Sequence, residues 1–101
     1  MKIITLIIHQ RCQEELSDKL KMTDIVQSFT FTQIEGHGGV NEKNLILSMK
    51  DQVVGYLQKT KADILVDDES VDILLESILN VNGIRGQSLF WVTAVEKIAF
   101  I

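Results

Sequence analysis

A chain of 101 residues carries one domain, residues 1–101, with one modest core and no second module to hold a separate activity. Its net charge of −4 reflects 14 acidic against 10 basic residues, and the basic ones are scattered rather than gathered on one face, which argues against nucleic acid as a partner. The single cysteine rules out an internal disulfide, so a reducing, cytoplasmic setting is expected.

Met1 to Ile8 is apolar at nearly every position and rich in isoleucine, which predicts a central strand covered on both faces. The run is too short to cross a bilayer and lacks the small-residue cleavage signal of a secretory leader, so no membrane insertion is expected. From Gln10 to Met22 the residues Cys12, Leu16 and Leu20 fall four apart among charged neighbours, the pattern of a short amphipathic helix. Ile25 to Glu35 alternates as a second strand, with Phe29 and Phe31 on one face and Thr30, Thr32 and Ile34 on the other.

Gly36 to about Lys50 reads as a long loop, because Gly36, Gly38 and Gly39 make a poor start for either regular element. Leu45, Ile46, Leu47 and Met49 make it more apolar than a solvated connection, as a segment folding against a partner, a ligand or a neighbouring subunit would be. Gln52 to Thr60 leads into a strand at Ile64 to Val66. Asp68 is then expected to cap a helix starting at Glu69, with Val71, Leu74, Leu75 and Ile78 as its apolar stripe and Gly83 as its terminator. The turn NGIRGQ follows, then a strand from Ser88 to Val95, with a short extra strand expected over Lys97 to Ile101.

Strand, helix, strand, long loop, strand, helix, strand is the order of an α+β, ferredoxin-like βαββαβ sandwich with the long loop between strands 2 and 3. Two helices cover one face of such a sheet. The first and last strands are apolar on both faces, and a chain of this length has no third layer for the second face, so self-association is expected.

Three stretches resemble the PII-like signal-transduction superfamily of small trimeric ferredoxin-like proteins. DQVVGYLQKTKADILVDDESVDILLESIL is similar to that superfamily's segment after its mobile T-loop. NGIRGQSLFWVTAVEKI looks like its B-loop and following strand, matching at Asn82, Gly83, Gly86, Ser88, Leu89, Trp91, Val92, Ala94, Val95 and Glu96. IEGHGG sits where the T-loop begins. The GHG turn and the W-V-T-x-V ending are similar to a branch whose genes often lie beside heavy-metal efflux systems, with CutA-like proteins as further relatives. The resemblance implies a homotrimer and a non-enzymatic regulator that binds a small effector, a nucleotide or a divalent metal ion, in clefts between subunits. Its loop would signal to a partner protein such as a membrane transporter. The alternative it implies is a metal-binding or metal-sensing protein tied to efflux. Two departures bear on nucleotides: the phosphate-contacting B-loop lysine aligns with Leu89, and no arginine pair follows the last strand.

Effector-binding candidates are therefore Gly36, His37, Gly38 and Gly39 at the loop's start, with Gly83, Arg85 and Gly86 in the turn, where backbone N–H groups and a guanidinium suit an anion. A plain helix-to-strand turn is the competing reading. His37, His9 and Cys12 are the metal candidates, His9 and Cys12 having the H-x-x-C spacing of a soft-metal pair. Against that, Cys12 continues the Leu16 and Leu20 stripe as a core residue would, and His37 also reads as an exposed loop histidine. No Ser-His-Asp, Cys-His or paired-carboxylate arrangement suited to catalysis is readable, so no enzymatic activity is expected.

Overall fold

The computed structural model describes residues 1–37 and 57–101. The elements are β1 (Lys2–His9), a 3₁₀ turn (Gln10–Cys12), α1 (Gln13–Lys21), β2 (Val26–Gly36), β3 (Leu57–Val66), a 3₁₀ turn (Asp68–Ser70), α2 (Val71–Leu79) and β4 (Leu89–Ala94). The strands form one antiparallel sheet in the order β2-β3-β1-β4. This is the split βαβ topology of the ferredoxin-like fold, with β1 central as its isoleucine run predicts.

Register shows why each strand alternates as it does. Ile4 lies opposite Ile64 and Val92, and Leu6 opposite Ala62 and Phe90, so these side chains share one face. Leu16 and Leu20 of α1 and Leu74 and Ile78 of α2 join Ile4, Leu6, Ile8, Ala62, Ile64 and Val66 in one buried cluster. Phe29 and Phe31, opposite Ile64 and Ala62, close it on the β2 side with their rings edge to face at 5.5 Å.

The other face carries Ile3, Ile7, Leu65, Leu89 and Trp91 around a polar centre. There the Thr5 hydroxyl donates to Asp63 at 2.7 Å, and Lys61 lies 3.7 Å from the same carboxylate. Leu89 is 60% and Trp91 44% exposed, so no part of the described chain covers this end of the face.

Several local expectations are corrected. Asp68 does not cap a helix through its side chain. It begins a 3₁₀ turn and pairs with the Met1 ammonium at 2.8 Å, with Lys2 at 4.0 Å, while Asp67 occupies the cap position without a side-chain capping bond. The ammonium's hydrogen bond, reinforced by Lys2, holds the Asp68 carboxyl below its ordinary range. Gly83 does not end α2, which stops at Leu79 with Asn80 as C-cap. β3 starts earlier than the apolar run Ile64 to Val66 suggests. Lys97 to Ile101 forms no strand: β4 gains one last bond, from Val95 N–H to the Met1 carbonyl at 3.1 Å, and beyond it the tail has no strand partner among the described residues.

Candidate functional site

In this topology β1 and β2 run parallel with β3 between them, so the carboxyl ends of β1 and β2 and the amino ends of β3 and β4 meet at one end of the sheet. The register bears this out, since His9 pairs with Lys59, Ile34 also pairs with Lys59, and Leu89 pairs with Ile7. Both glycine-rich segments thus open from the same end. Gly36 is the last residue of β2, and His37 follows it with Nε2 3.1 Å from Glu35 Oε2, both side chains being exposed. Gly38, Gly39 and the rest of the long loop lie outside the described residues.

The turn after α2 brings Gly83, Arg85 and Gly86 to that same end. Gly83 and Gly86 have φ of 85° and 82°, in the left-handed region that side-chain-bearing residues rarely adopt. At Gly83 a second constraint applies, because a Cβ there would stand 3.0 Å from the Cys12 sulfur. Arg85 is exposed, and the buried Ser88 hydroxyl has no hydrogen-bond partner among the described residues.

The segment His9–Gln13, at the junction of β1 and α1, joins the two. His9 Nδ1 accepts from the Arg11 N–H at 3.1 Å and caps the 3₁₀ turn. Arg11 reaches the glycine turn, with Nη2 donating to Gln87 Oε1 at 3.0 Å. Cys12 is buried beneath that turn, its thiol directed at the Asn82 carbonyl at 3.7 Å.

Gln13 reaches the other way. Its Oε1 accepts from Gln33 Nε2 at 2.6 Å and from the buried Thr60 hydroxyl at 3.0 Å, and Thr60 also lies 3.1 Å from Gln33 Oε1. Gln33 is near the end of β2 and Thr60 near the start of β3, so α1 is tied to the base of the long loop.

The metal candidates His9 and Cys12 are directed to different partners: His9 Nδ1 serves the cap, and the Cys12 thiol faces the Asn82 carbonyl. The thiol is buried beneath the glycine turn. Among the described residues no three His, Cys, Asp or Glu side chains gather as a metal cluster. Sequence reasoning missed Arg11, Gln13, Gln33, Thr60 and Gln87. Only the polar QRCQ run placed just after a central strand hinted at them.

Comparison with known proteins agrees with this architecture. The chain is 29% identical, over 106 aligned positions covering all of it and 89% of the relative, to nitrogen regulatory protein P-II 2 of Methanothermobacter thermautotrophicus. A crystal structure of a DUF3240 family protein from Shewanella baltica OS155 superposes with a TM-score of 0.77 at 15% identity, covering 99% of this chain and 94% of that one, and so shares its fold. Among the described residues no helix is long and apolar enough to cross a membrane. The model of the family described as "Protein of unknown function (DUF3240)" matches residues 1–101, so the chain, with its sheet-end junction and glycine turn, belongs to the DUF3240 family.

Proposed function

We propose that this is a non-enzymatic, cytoplasmic PII-like regulator, a homotrimer that binds a small anionic effector at clefts between subunits and signals through residues 36–50 to a partner protein. One observation carries the reading: residues 11–13 hold the glycine turn through Arg11 and the loop's base through Gln13. An effector binding at the turn would act on the segment that also holds the loop. Such a switch requires only that the ligand bind two loop arrangements unequally.

The turn itself favours an anion. Arg85 lies in the turn, Arg11 reaches it through Gln87, and both carry guanidinium groups suited to an anion beside the positive-φ glycines. Leu89, in the place of the family's phosphate-contacting lysine, cannot donate, so the two arginines replace it. Phosphate-bearing nucleotides are the effector class that follows, and the regulated partner is a transporter-like protein engaged by the loop.

Calorimetry with ATP, ADP and AMP tests the effector, using Arg11→Ala and Arg85→Ala as controls. Binding should weaken at least tenfold in each variant while the melting temperature stays within a degree or two, since both groups are exposed surface positions. Deleting residues 39–49 should leave assembly and thermal stability intact and abolish capture of the partner. A deletion that dissociates the oligomer would make the loop structural packing, and the reading would lose its moving part.

A further inference from the structure

The chain has two arginines, Arg11 and Arg85, and both stand at the turn between α2 and β4. That turn is two β-turns in tandem. Ile84 N–H donates to the Val81 carbonyl at 3.3 Å, and Gln87 N–H donates to the Ile84 carbonyl at 3.2 Å. The third residue of each is a glycine at positive φ, Gly83 and Gly86, while Asn82 and Arg85 before them have negative φ, the pattern of type II turns. Ile84, shared by both turns, is 1% exposed and belongs to the core cluster, so the pair is pinned at its middle. The second turn then sets exposed Arg85 at its corner and half-buried Gln87 at its close.

Gln87 is what Arg11 meets there, its Oε1 accepting from Arg11 Nη2 at 3.0 Å. In a chain with 14 acidic residues, the partner of this guanidinium is a neutral amide. Among the described residues neither Arg11 nor Arg85 forms an ion pair with a carboxylate, whereas the Met1 ammonium, Lys2 and Lys61 each do. A guanidinium held by an amide keeps its charge for a stronger acceptor, and its hydrogen bond to an oxyanion is roughly twice as strong as one to a neutral oxygen. A carboxylate in Gln87's place would neutralise Arg11, and an apolar residue would leave the long side chain to move freely in solvent. The amide does neither. It keeps Arg11 at the turn and still yields to an anion.

We propose that Gln87 is an internal competitor for the anion: it holds Arg11 at the turn in the empty protein and gives way to a phosphate oxygen. The guanidinium then exchanges a neutral acceptor for a charged one. This deepens the effector reading above and rests on it. Arg85 supplies the second cation and needs no such exchange. The arrangement sets a threshold, because only an acceptor carrying more charge than an amide, such as the phosphate chain of a nucleotide, releases the contact. Arg11 leaving Gln87 draws on Cys12 and Gln13, which follow it in the chain.

The test is calorimetry of inorganic pyrophosphate and of ATP with the full chain, as wild type and as Gln87→Ala, each also in an Arg11→Ala background. Removing a competing hydrogen bond of ordinary strength should tighten anion binding about fivefold. Gln87→Glu, which puts an ion pair in place of that hydrogen bond, should weaken it about tenfold or more. In the Arg11→Ala background Gln87→Ala should change nothing, because Gln87 acts only through that guanidinium. Weaker or unchanged binding by Gln87→Ala would overturn the competition while wild-type binding left the effector reading standing. If neither the wild type nor Gln87→Ala binds pyrophosphate or ATP, the effector reading and the competitor fall together. A second readout follows the amide resonances of Gln33 and Thr60 in ¹⁵N-labelled protein. Unliganded Gln87→Ala and pyrophosphate-saturated wild type should shift them in the same direction, since both release Arg11. Opposite or absent shifts would overturn release of Arg11 as the event that reaches the loop's base.

Discussion

Replacing Gly83 with alanine separates two constraints that meet at the glycine turn. The residue sits at φ 85°, where an L side chain costs about 1–2 kcal/mol. The new Cβ would also stand 3.0 Å from the Cys12 sulfur, and that sulfur has little room to retreat. Cys12 is buried in the cluster that holds Leu16 and Ile84, with its thiol against the Asn82 carbonyl. Overpacking of this kind adds about 1–3 kcal/mol, so Gly83→Ala should destabilise by roughly 2–5 kcal/mol. In a Cys12→Ala background the space opens, and the same substitution should cost only the backbone share of ~1–2 kcal/mol. The double-mutant cycle should therefore show a coupling of about 1–3 kcal/mol. Gly86, at φ 82° with nothing within 4 Å of its would-be Cβ, serves as the internal control. Its alanine variant should lose about 1–2 kcal/mol in either background. Urea unfolding followed by the fluorescence of Trp91, at one fixed protein concentration because association shifts the midpoint, gives these values directly. Equal penalties at the two glycines, or additivity of Gly83→Ala with Cys12→Ala to within about 0.5 kcal/mol, would refute the packing argument.

Thr60→Val removes the hydroxyl that ties β3 to Gln13 and Gln33. Because Gln33 is exposed and water can replace the lost partner, the cost should be near 1 kcal/mol, with faster amide exchange confined to the ends of β2 and β3 beside the loop. Uniform acceleration across the sheet would show that the triad has no local role. The Asp68 carboxyl is held below its ordinary value of 3.8 by its hydrogen bond with the N-terminal ammonium. A depressed folded pKa contributes stability above the unfolded value that is lost as pH falls through the folded one. Asp68→Asn should thus lower the melting temperature slightly near pH 6 and leave it unchanged near pH 2, the gap closing below about pH 4. A gap that persists in acid would assign the effect to packing.

Periodicity was legible where burial alone decides. Phe29 and Phe31 share the core face of β2, and Leu74 and Ile78 face the same core from α2, as their spacing predicts. It failed where a distant partner decides. Asp68 looks like a cap because its local neighbours suit one, yet the Met1 ammonium across the sheet claims its carboxylate. Gln52 to Thr60 reads as a lead-in to the strand, its last residues Gln58, Lys59 and Thr60 being polar, yet Thr60 is buried in a hydrogen-bonded triad that only the folded chain assembles. Lys97 to Ile101 has strand-like composition, but a strand needs a neighbour, and the described residues offer none beyond Val95. The site was half legible. Its glycines mark themselves, while Arg11 and Gln87 are 76 positions apart and carry no local sign of meeting.

The junction's place in the topology explains why Gly36, at the end of β2, and the Gly83–Gly86 turn open from the same end of the sheet. β1 is an inner strand, with β3 and then β2 on one side and β4 on the other. The chain leaving β1 for α1 therefore starts from the middle of the sheet's end, within reach of both flanks. Arg11 extends toward the turn that feeds β4, and Gln13 toward the β2 and β3 ends that carry the loop. Between them Cys12 is buried beneath the turn, so displacement of either flank is felt by a short hydrogen-bonded segment anchored at its centre. A ligand that drew Arg11 away from Gln87 would load that segment, and the triad of Gln13, Gln33 and Thr60 is the element it would load next. The opposite end of the sheet, with the Met1 to Asp68 pair and the apolar tail, lies away from this chain of contacts.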